Sequence, residues 1–116
     1  MVMGSEKEIE NSILAYLQAL PGCFAWKNQS TGVYDPTKGI FRKSKNKFHL
    51  NGVSDIIGIY KGKFLAIEVK TPKNKLRPDH QVSFIAQINM SGGLAFFATS
   101  VEEVKEKLLA PGRPNA

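Results

Sequence analysis

The chain has 116 residues, enough for one domain with a single modest core, and its 42% apolar content excludes a wholly disordered protein. Its one cysteine excludes an intrachain disulfide and a zinc site built from cysteines. Sixteen Lys and Arg against ten Asp and Glu give a formal net charge of +6, which suits a polyanionic partner such as nucleic acid or a membrane surface, unless the protein is merely basic. No apolar run approaches the ~20 residues of a membrane span, and no secretory signal is recognisable, so a cytoplasmic protein is expected.

The first predicted element is an amphipathic helix over residues 5–20. Ser5 and Glu8 have the spacing of a capping box at its start, and Pro21-Gly22 ends it. Its apolar residues mark one face: Ile9, Ile13, Tyr16, Leu17 and Leu20. A strand is predicted over residues 23–30.

A polar segment over residues 31–51 follows and is predicted to be a mobile loop or flap, because it is polar and contains Gly32 and Gly39. It has one acid, Asp35, against five basic residues: Lys38, Arg42, Lys43, Lys45 and Lys47. Such a charge run is usually a solvated loop, but it is also what a polyanion would contact.

The second half of the chain predicts two strands joined at Lys61-Gly62, a basic loop over residues 72–78, and a helix from Pro78 or Asp79 to Gly92-Gly93. A strand over residues 94–99 and a helix from Ser100 to about residue 109 complete the order α-β-β-β-α-β-α. This order predicts a small mixed sheet flanked by helices, of the α/β or α+β class. We expect one domain over residues 1–110 and a flexible tail over residues 111–116.

Three charged residues interrupt the two apolar strands: Asp55, Glu68 and Lys70. Strand alternation places Glu68 and Lys70 on one face. If Lys61-Gly62 is a two-residue turn, Asp55 lies opposite Glu68 with the Cβ atoms roughly 5 Å apart, where like charges repel. Sharing a divalent cation would explain the pair. With only two scattered histidines, the ligands would be oxygens, which suit Mg²⁺ or Mn²⁺. The alternative is a structural Glu68–Lys70 ion pair, with Asp55 as a turn or cap residue.

At these residues the sequence resembles the VRR-NUC (virus-type replication-repair nuclease) family of the PD-(D/E)xK superfamily. Asp55 in GVSD matches the family's G-x-P-D, Glu68-Val69-Lys70 matches its E-x-K, and Gln81 matches a glutamine of the next helix. Ser54 departs from the proline that is common there. The resemblance spans about residues 5–108 and implies a restriction-endonuclease-like αβββαβ core with a C-terminal helix.

The resemblance implies a Mg²⁺-dependent phosphodiesterase, with Mn²⁺ as a substitute. Asp55, Glu68 and the Val69 carbonyl would hold the metal, and Lys70 would position or activate the attacking water. Gln81 is predicted to point inward, either as part of the site or as a core glutamine with a partner.

The resemblance also implies a further carboxylate from the first helix, as in related junction-resolving enzymes. Glu6 shares a stripe with Ile13 and Leu17, so it is preferred, and Glu10 is second. The alternative is that both are ordinary exposed acids at a helix N-terminus.

The implied function is that of a structure-selective DNA endonuclease, in particular a homodimeric Holliday-junction resolvase encoded by a phage or prophage in a bacterial host. The basic residues of segment 31–51 and those of the later loop, Lys73, Lys75 and Arg77, would contact DNA phosphates. Three alternatives remain open: a monomeric flap or single-strand nuclease, a non-catalytic nucleic-acid-binding module, and a protein-interaction domain.

Overall fold

The computed structural model describes residues 4–29, 33–35, 37, 40–42 and 53–109. The helices are α1 (Glu6–Ala19), α2 (Asp79–Met90) and α3 (Val101–Leu109). The strands are β1 (Cys23–Lys27), β2 (Val33–Asp35), β3 (Ile40–Arg42), β4 (Ile56–Tyr60), β5 (Lys63–Val69) and β6 (Leu94–Ala98). Within the described ranges, no helix combines the length and the apolar character that crossing a membrane requires.

The central sheet has four strands in the order β1-β4-β5-β6. β4 is antiparallel to both β1 and β5, whereas β6 runs parallel to β5 after the crossover through α2. The mixed sheet with flanking helices confirms the predicted fold class. The first strand is shorter than predicted, because it ends at Lys27 rather than at residue 30.

A second, two-stranded sheet corrects the prediction that segment 31–51 is a single loop. Val33–Asp35 pairs with Ile40–Arg42 in an antiparallel hairpin. Strands of three residues alternate too briefly to give a period-2 pattern, and the surrounding lysines favoured a loop. The rest of that segment and the tail predicted over residues 111–116 lie outside the described residues.

The turn between β4 and β5 determines their register. Lys61 and Gly62 both have positive φ, 48° and 85°, as a two-residue type I′ turn requires. The predicted register is confirmed, since Tyr60 faces Lys63 and Ile56 faces Ile67. Asp55 comes one residue before β4 and therefore reaches the end of β5.

The two faces of the sheet pack against different helices. On one face α1 and α3 cover the larger core, which includes Leu65, Ile67 and Val69 of β5. On the other face α2 packs Phe84 and Ile85 against residues of β5 and β6. Because side chains alternate along β5, Glu68 and the following Lys70 fall on the α2 side.

Candidate active site

Asp55 is held at the end of the sheet by two strands. Its Oδ2 accepts a hydrogen bond from the Val69 backbone N–H at 2.9 Å. Its carbonyl oxygen accepts one from the Asn28 N–H at 2.7 Å, which continues the β1–β4 register beyond both strands. The carboxylate is therefore fixed in a definite position beside the last residues of β5.

Glu68 is buried between the sheet and α2, with only 5% of its surface exposed. Gln81 donates from Nε2 to Glu68 Oε1 at 2.9 Å. Gln81 therefore points inward as its helical position predicted, and its partner is the glutamate of the E-x-K motif. Among the described residues, Glu68 Oε2 and Gln81 Oε1 are both buried without a hydrogen-bond partner. The two unpartnered oxygens make this a polar site in need of a ligand.

The electrostatics of the two carboxylates are coupled. Burial, and then the charge of Asp55, raise the pKa of Glu68 to about 8, against the opposing effect of Lys70. Burial also raises the pKa of Asp55, while the Val69 N–H acts in the opposite direction. At neutral pH the pair therefore keeps a proton when no cation is present, because the buried Glu68 resists ionising beside the half-buried carboxylate of Asp55.

Lys70 is the third charged residue of the motif and is also buried, with 6% of its surface exposed. Its backbone N–H donates to the Ala98 carbonyl at 2.9 Å, where the chain leaves the sheet. Its Nζ lies 6.0 Å from the centroid of the Phe97 ring on the α2 side. Its positive charge favours the ionised forms of both Asp55 and Glu68, so the three motif residues share one electrostatic environment.

The structure places Glu10 rather than Glu6 near Asp55, and which of the two acids serves the metal stays a prediction. Glu6 is exposed, whereas Glu10 is 5% exposed and its charge contributes to the raised pKa of Asp55. Both acids lie on the helix face of Ile13, but the first turn of α1, which carries Glu6, is exposed outside the packed part of that face. Lys27 also holds Glu10 in place, through an ion pair of 2.9 Å.

The donors gathered here fit a hard cation, since all of them are oxygens and one carboxylate oxygen is buried without a partner. Asp55 and Glu68 form the core of such a set. In the described part of the chain, no group of three or more Asp, Glu, His or Cys side chains is arranged to hold a metal ion. Glu10 and the Val69 carbonyl therefore stay predicted ligands.

The predicted DNA-contacting residues divide into three groups. Lys73 and Lys75 are exposed on the loop between β5 and α2, next to the site. Arg77 binds the backbone of the same loop, since its Nη1 donates to the carbonyls of Asn74 and Leu76 at 3.0 Å. Arg42 is placed only as a strand position in β3. Four lysines lie outside the described residues: Lys38, Lys43, Lys45 and Lys47.

Two contributors to the site were not anticipated from the sequence. Asn28 donates to the backbone of Asp55, and Lys27 pairs with Glu10. The first could have been found by extending the strand register of β1, but that register depends on a long-range pairing that no local pattern shows. The second depends on how α1 lies across the sheet.

The comparisons with known proteins bear on the fold. No family model and no curated protein matches the chain. A solved structure described as "VRR_NUC domain" superposes with a TM-score of 0.61 at 18% sequence identity, over 91% of this chain and 96% of that one. The chain therefore shares the fold of a VRR_NUC domain, which is the fold that the sequence resemblance predicted.

Proposed function

We propose that the chain is a nuclease of the PD-(D/E)xK type, of the VRR-NUC family, that hydrolyses DNA phosphodiester bonds with the help of a divalent metal ion. The observation that carries this proposal is the pair Asp55 and Glu68. Burial, and then the charge of the half-buried Asp55, raise the pKa of Glu68 to about 8, and such an arrangement is costly for a purely structural role. A cation between them would remove that cost.

The chemistry follows from the residue types. Mg²⁺ or Mn²⁺, bound by Asp55 and Glu68 with the Val69 carbonyl and Glu10 as further ligands, would polarise the scissile phosphate and make a water molecule more acidic. Lys70 supplies a buried ammonium group that can position the water and offset the charge that develops on phosphorus. Gln81 orients Glu68 through its hydrogen bond to Oε1.

The distribution of charge supports a DNA substrate. Apart from Glu10, which we assign to the metal, α1 and α3 cover the sheet face opposite Glu68 and carry five acids against three lysines. Outside these two helices the sequence carries thirteen basic residues against four acids, and two of those four are Asp55 and Glu68. A polyanion is therefore attracted away from the α1–α3 layer and toward the rest of the molecule.

We extend the proposal to branched DNA, in particular the four-way junction, and to a homodimer as the active form. Two sites related by a two-fold axis could nick opposing strands symmetrically. A row of exposed apolar side chains supports contact with a second copy. It crosses three strands, since Phe24 pairs with Ile59 and Ile59 with Phe64, and Trp26 lies beside it. β1 is one of the two outer strands of the described four-stranded sheet, and antiparallel pairing of two β1 edges is compatible with a two-fold axis.

The experiment that tests the function is cleavage of a labelled four-way junction, a linear duplex and a flap, each with Mg²⁺, Mn²⁺ or EDTA. We expect symmetric nicks in the junction that require the metal and that are lost in Glu68→Gln. Cutting of the flap alone would replace the resolvase by a monomeric flap nuclease acting at the same site.

A binding module would give a different result in the same assay. It would bind DNA with strong salt dependence but cut none of the three substrates with either metal. An enzyme of the kind we propose would act in the cytoplasm of a bacterial cell that carries the phage or prophage.

A further inference from the structure

The loop over residues 71–78 presents an apolar side chain beside the site. Leu76 is 73% exposed, and it lies between Lys75 and Arg77, six residues after Lys70. A single exposed leucine needs no explanation in general. This one is notable because the backbone that carries it is held in place.

Several hydrogen bonds hold the backbone on both sides of Leu76. Its N–H donates to Asn74 Oδ1 at 3.0 Å, and the Asn74 N–H donates to the Thr71 carbonyl at 3.0 Å. Arg77 donates from Nη1 to the carbonyls of Asn74 and Leu76. The Nη1 group of Arg77 thus binds the loop's own backbone. Fixing a loop costs conformational entropy, and the exposed Leu76 side chain offsets little of it because it buries little apolar surface.

The loop and the site both lie against the ring of Phe97. The guanidinium carbon of Arg77 lies 4.7 Å from the centroid of the Phe97 ring, and Lys70 Nζ lies 6.0 Å from the same centroid. The loop also carries Lys73 and Lys75, both exposed. Leu76 is therefore an exposed apolar side chain surrounded in sequence by basic residues, next to the residues assigned to phosphodiester cleavage.

We infer that Leu76 is a wedge that inserts at an unstacked base step of branched DNA, close to the scissile phosphate. This inference rests on the proposed function and names how that site selects its substrate. An apolar side chain gains nothing from phosphates but gains from contact with a base face. At a branch point the bases are already partly unstacked, so insertion costs less there than in a continuous duplex. The neighbouring lysines favour DNA over a protein partner.

The test uses a four-way junction with 2-aminopurine at the branch point, bound by the full chain in EDTA so that binding is observed without cutting. Wild-type protein should raise the 2-aminopurine fluorescence because insertion unstacks the base. Leu76→Ala should lose this rise and lose roughly tenfold in its preference for junction over linear duplex, as expected for the burial of one leucine side chain. Leu76→Phe should retain both.

The matched control is Leu109→Ala, which truncates a leucine that is 62% exposed on α3. It should behave as wild type, and circular dichroism of each variant shows that the fold is kept. If Leu76→Ala gives the wild-type fluorescence rise and the wild-type preference, the wedge is wrong while the nuclease stands. If the wild-type protein binds no DNA and cuts none with Mg²⁺, the proposed function itself fails and the wedge fails with it.

Discussion

Gln81 Nε2 and Glu68 Oε1 lie 2.9 Å apart, so a hydrogen bond joins the first turn of α2 to the end of β5. This contact uses one oxygen of Glu68, and the other, Oε2, has no partner among the described residues. The same carboxylate is crowded by Asp55, whose Oδ2 is already bound by the Val69 N–H. The fold thus orients Glu68 and leaves one of its oxygens for a ligand.

The first prediction concerns Gln81. An amide that donates to a carboxylate stabilises the ionised form, so Gln81→Ala should raise the pKa of Glu68 further and shift cation binding to higher pH. The measurement is the increase in melting temperature on adding Mg²⁺ across a pH series, whose midpoint should move upward. Gln87→Ala on the exposed side of α2 is the control and should leave the midpoint unchanged. Equal midpoints for both variants would give Gln81 only a packing role.

The second prediction concerns pH and stability. The pKa of Glu68 is about 8 in the folded protein and 4.5 for an ordinary glutamate. Between these two pH values the folded state therefore holds a proton that the unfolded state has lost. Stability should therefore be highest below about pH 4.5 with respect to this group and fall as the pH rises to about 8. A shift of this size corresponds to on the order of 5 kcal/mol between the two ends of that pH range, and this component is absent in Glu68→Gln.

The measurement is the difference in melting temperature between wild type and Glu68→Gln from pH 5 to pH 9 in EDTA. Glu106→Gln, an exposed acid on α3, should show no such trend. Mg²⁺ should stabilise the wild-type protein more at pH 8.5 than at pH 6 because the cation replaces a proton. A wild-type curve parallel to that of Glu68→Gln would mean that the carboxylate ionises normally.

The third prediction separates Glu10 from Glu6. Glu10 is buried beside Asp55 and paired with Lys27, whereas Glu6 is exposed. Glu10→Gln should therefore weaken Mg²⁺ binding and reduce cleavage by about tenfold or more, as loss of a ligand or of its supporting contact does. Glu6→Gln should leave both within about twofold of wild type. The measurements are a Mg²⁺ titration of the melting temperature and single-turnover cleavage of the junction. The opposite ranking would restore the assignment that helix periodicity favoured.

The sequence was sufficient for features that depend on local periodicity. The Lys61-Gly62 turn predicted the β4–β5 register, which brings Asp55 to Glu68, and the helical period directed Gln81 inward. It was insufficient where the answer depends on how far one element extends over another. Glu6 and Glu10 lie on one helix face. They differ because the part of α1 that packs against the sheet includes Glu10 but not Glu6. No local pattern shows that the Arg77 guanidinium binds the carbonyls of its own loop, and its contact with DNA stays a prediction.

The fourth prediction concerns the dimer. If the exposed row on β1, β4 and β5 contacts a second copy, Phe24→Ser combined with Trp26→Ser should convert the dimer to a monomer, because loss of buried aromatic surface removes most of the association energy. Sedimentation velocity over a concentration series measures this. Met90→Ser, which changes an exposed residue at the end of α2, should leave the dimer intact. A monomeric wild-type protein, or a dimer unaffected by the double change, would exclude this surface.

The fifth prediction compares Gly58, where there is no room for a side chain, with Gly62, where the backbone conformation favours glycine. A Cβ on Gly58 would lie 2.3 Å from the Phe24 carbonyl oxygen and 2.5 Å from the Ala25 Cα, so β1 would have to move. Gly62, by contrast, has a φ of +85°, and a Cβ added there would meet no atom within 4 Å, so only backbone strain opposes a side chain. Gly58→Ala should cost about 3 kcal/mol or more, and Gly62→Ala about 1 kcal/mol, in urea unfolding.

The two changes should also differ in activity. β1 positions Asn28, whose N–H binds the Asp55 carbonyl, so a displaced β1 disturbs the metal-binding carboxylate as well as the sheet. Folded Gly58→Ala protein should therefore bind Mg²⁺ more weakly and cut more slowly, whereas Gly62→Ala should be less stable but fully active below its melting temperature. Equal losses of stability would show that the sheet relieves the Gly58 clash at little cost, and an undiminished Mg²⁺ affinity in Gly58→Ala would show that β1 adjusts without moving Asp55.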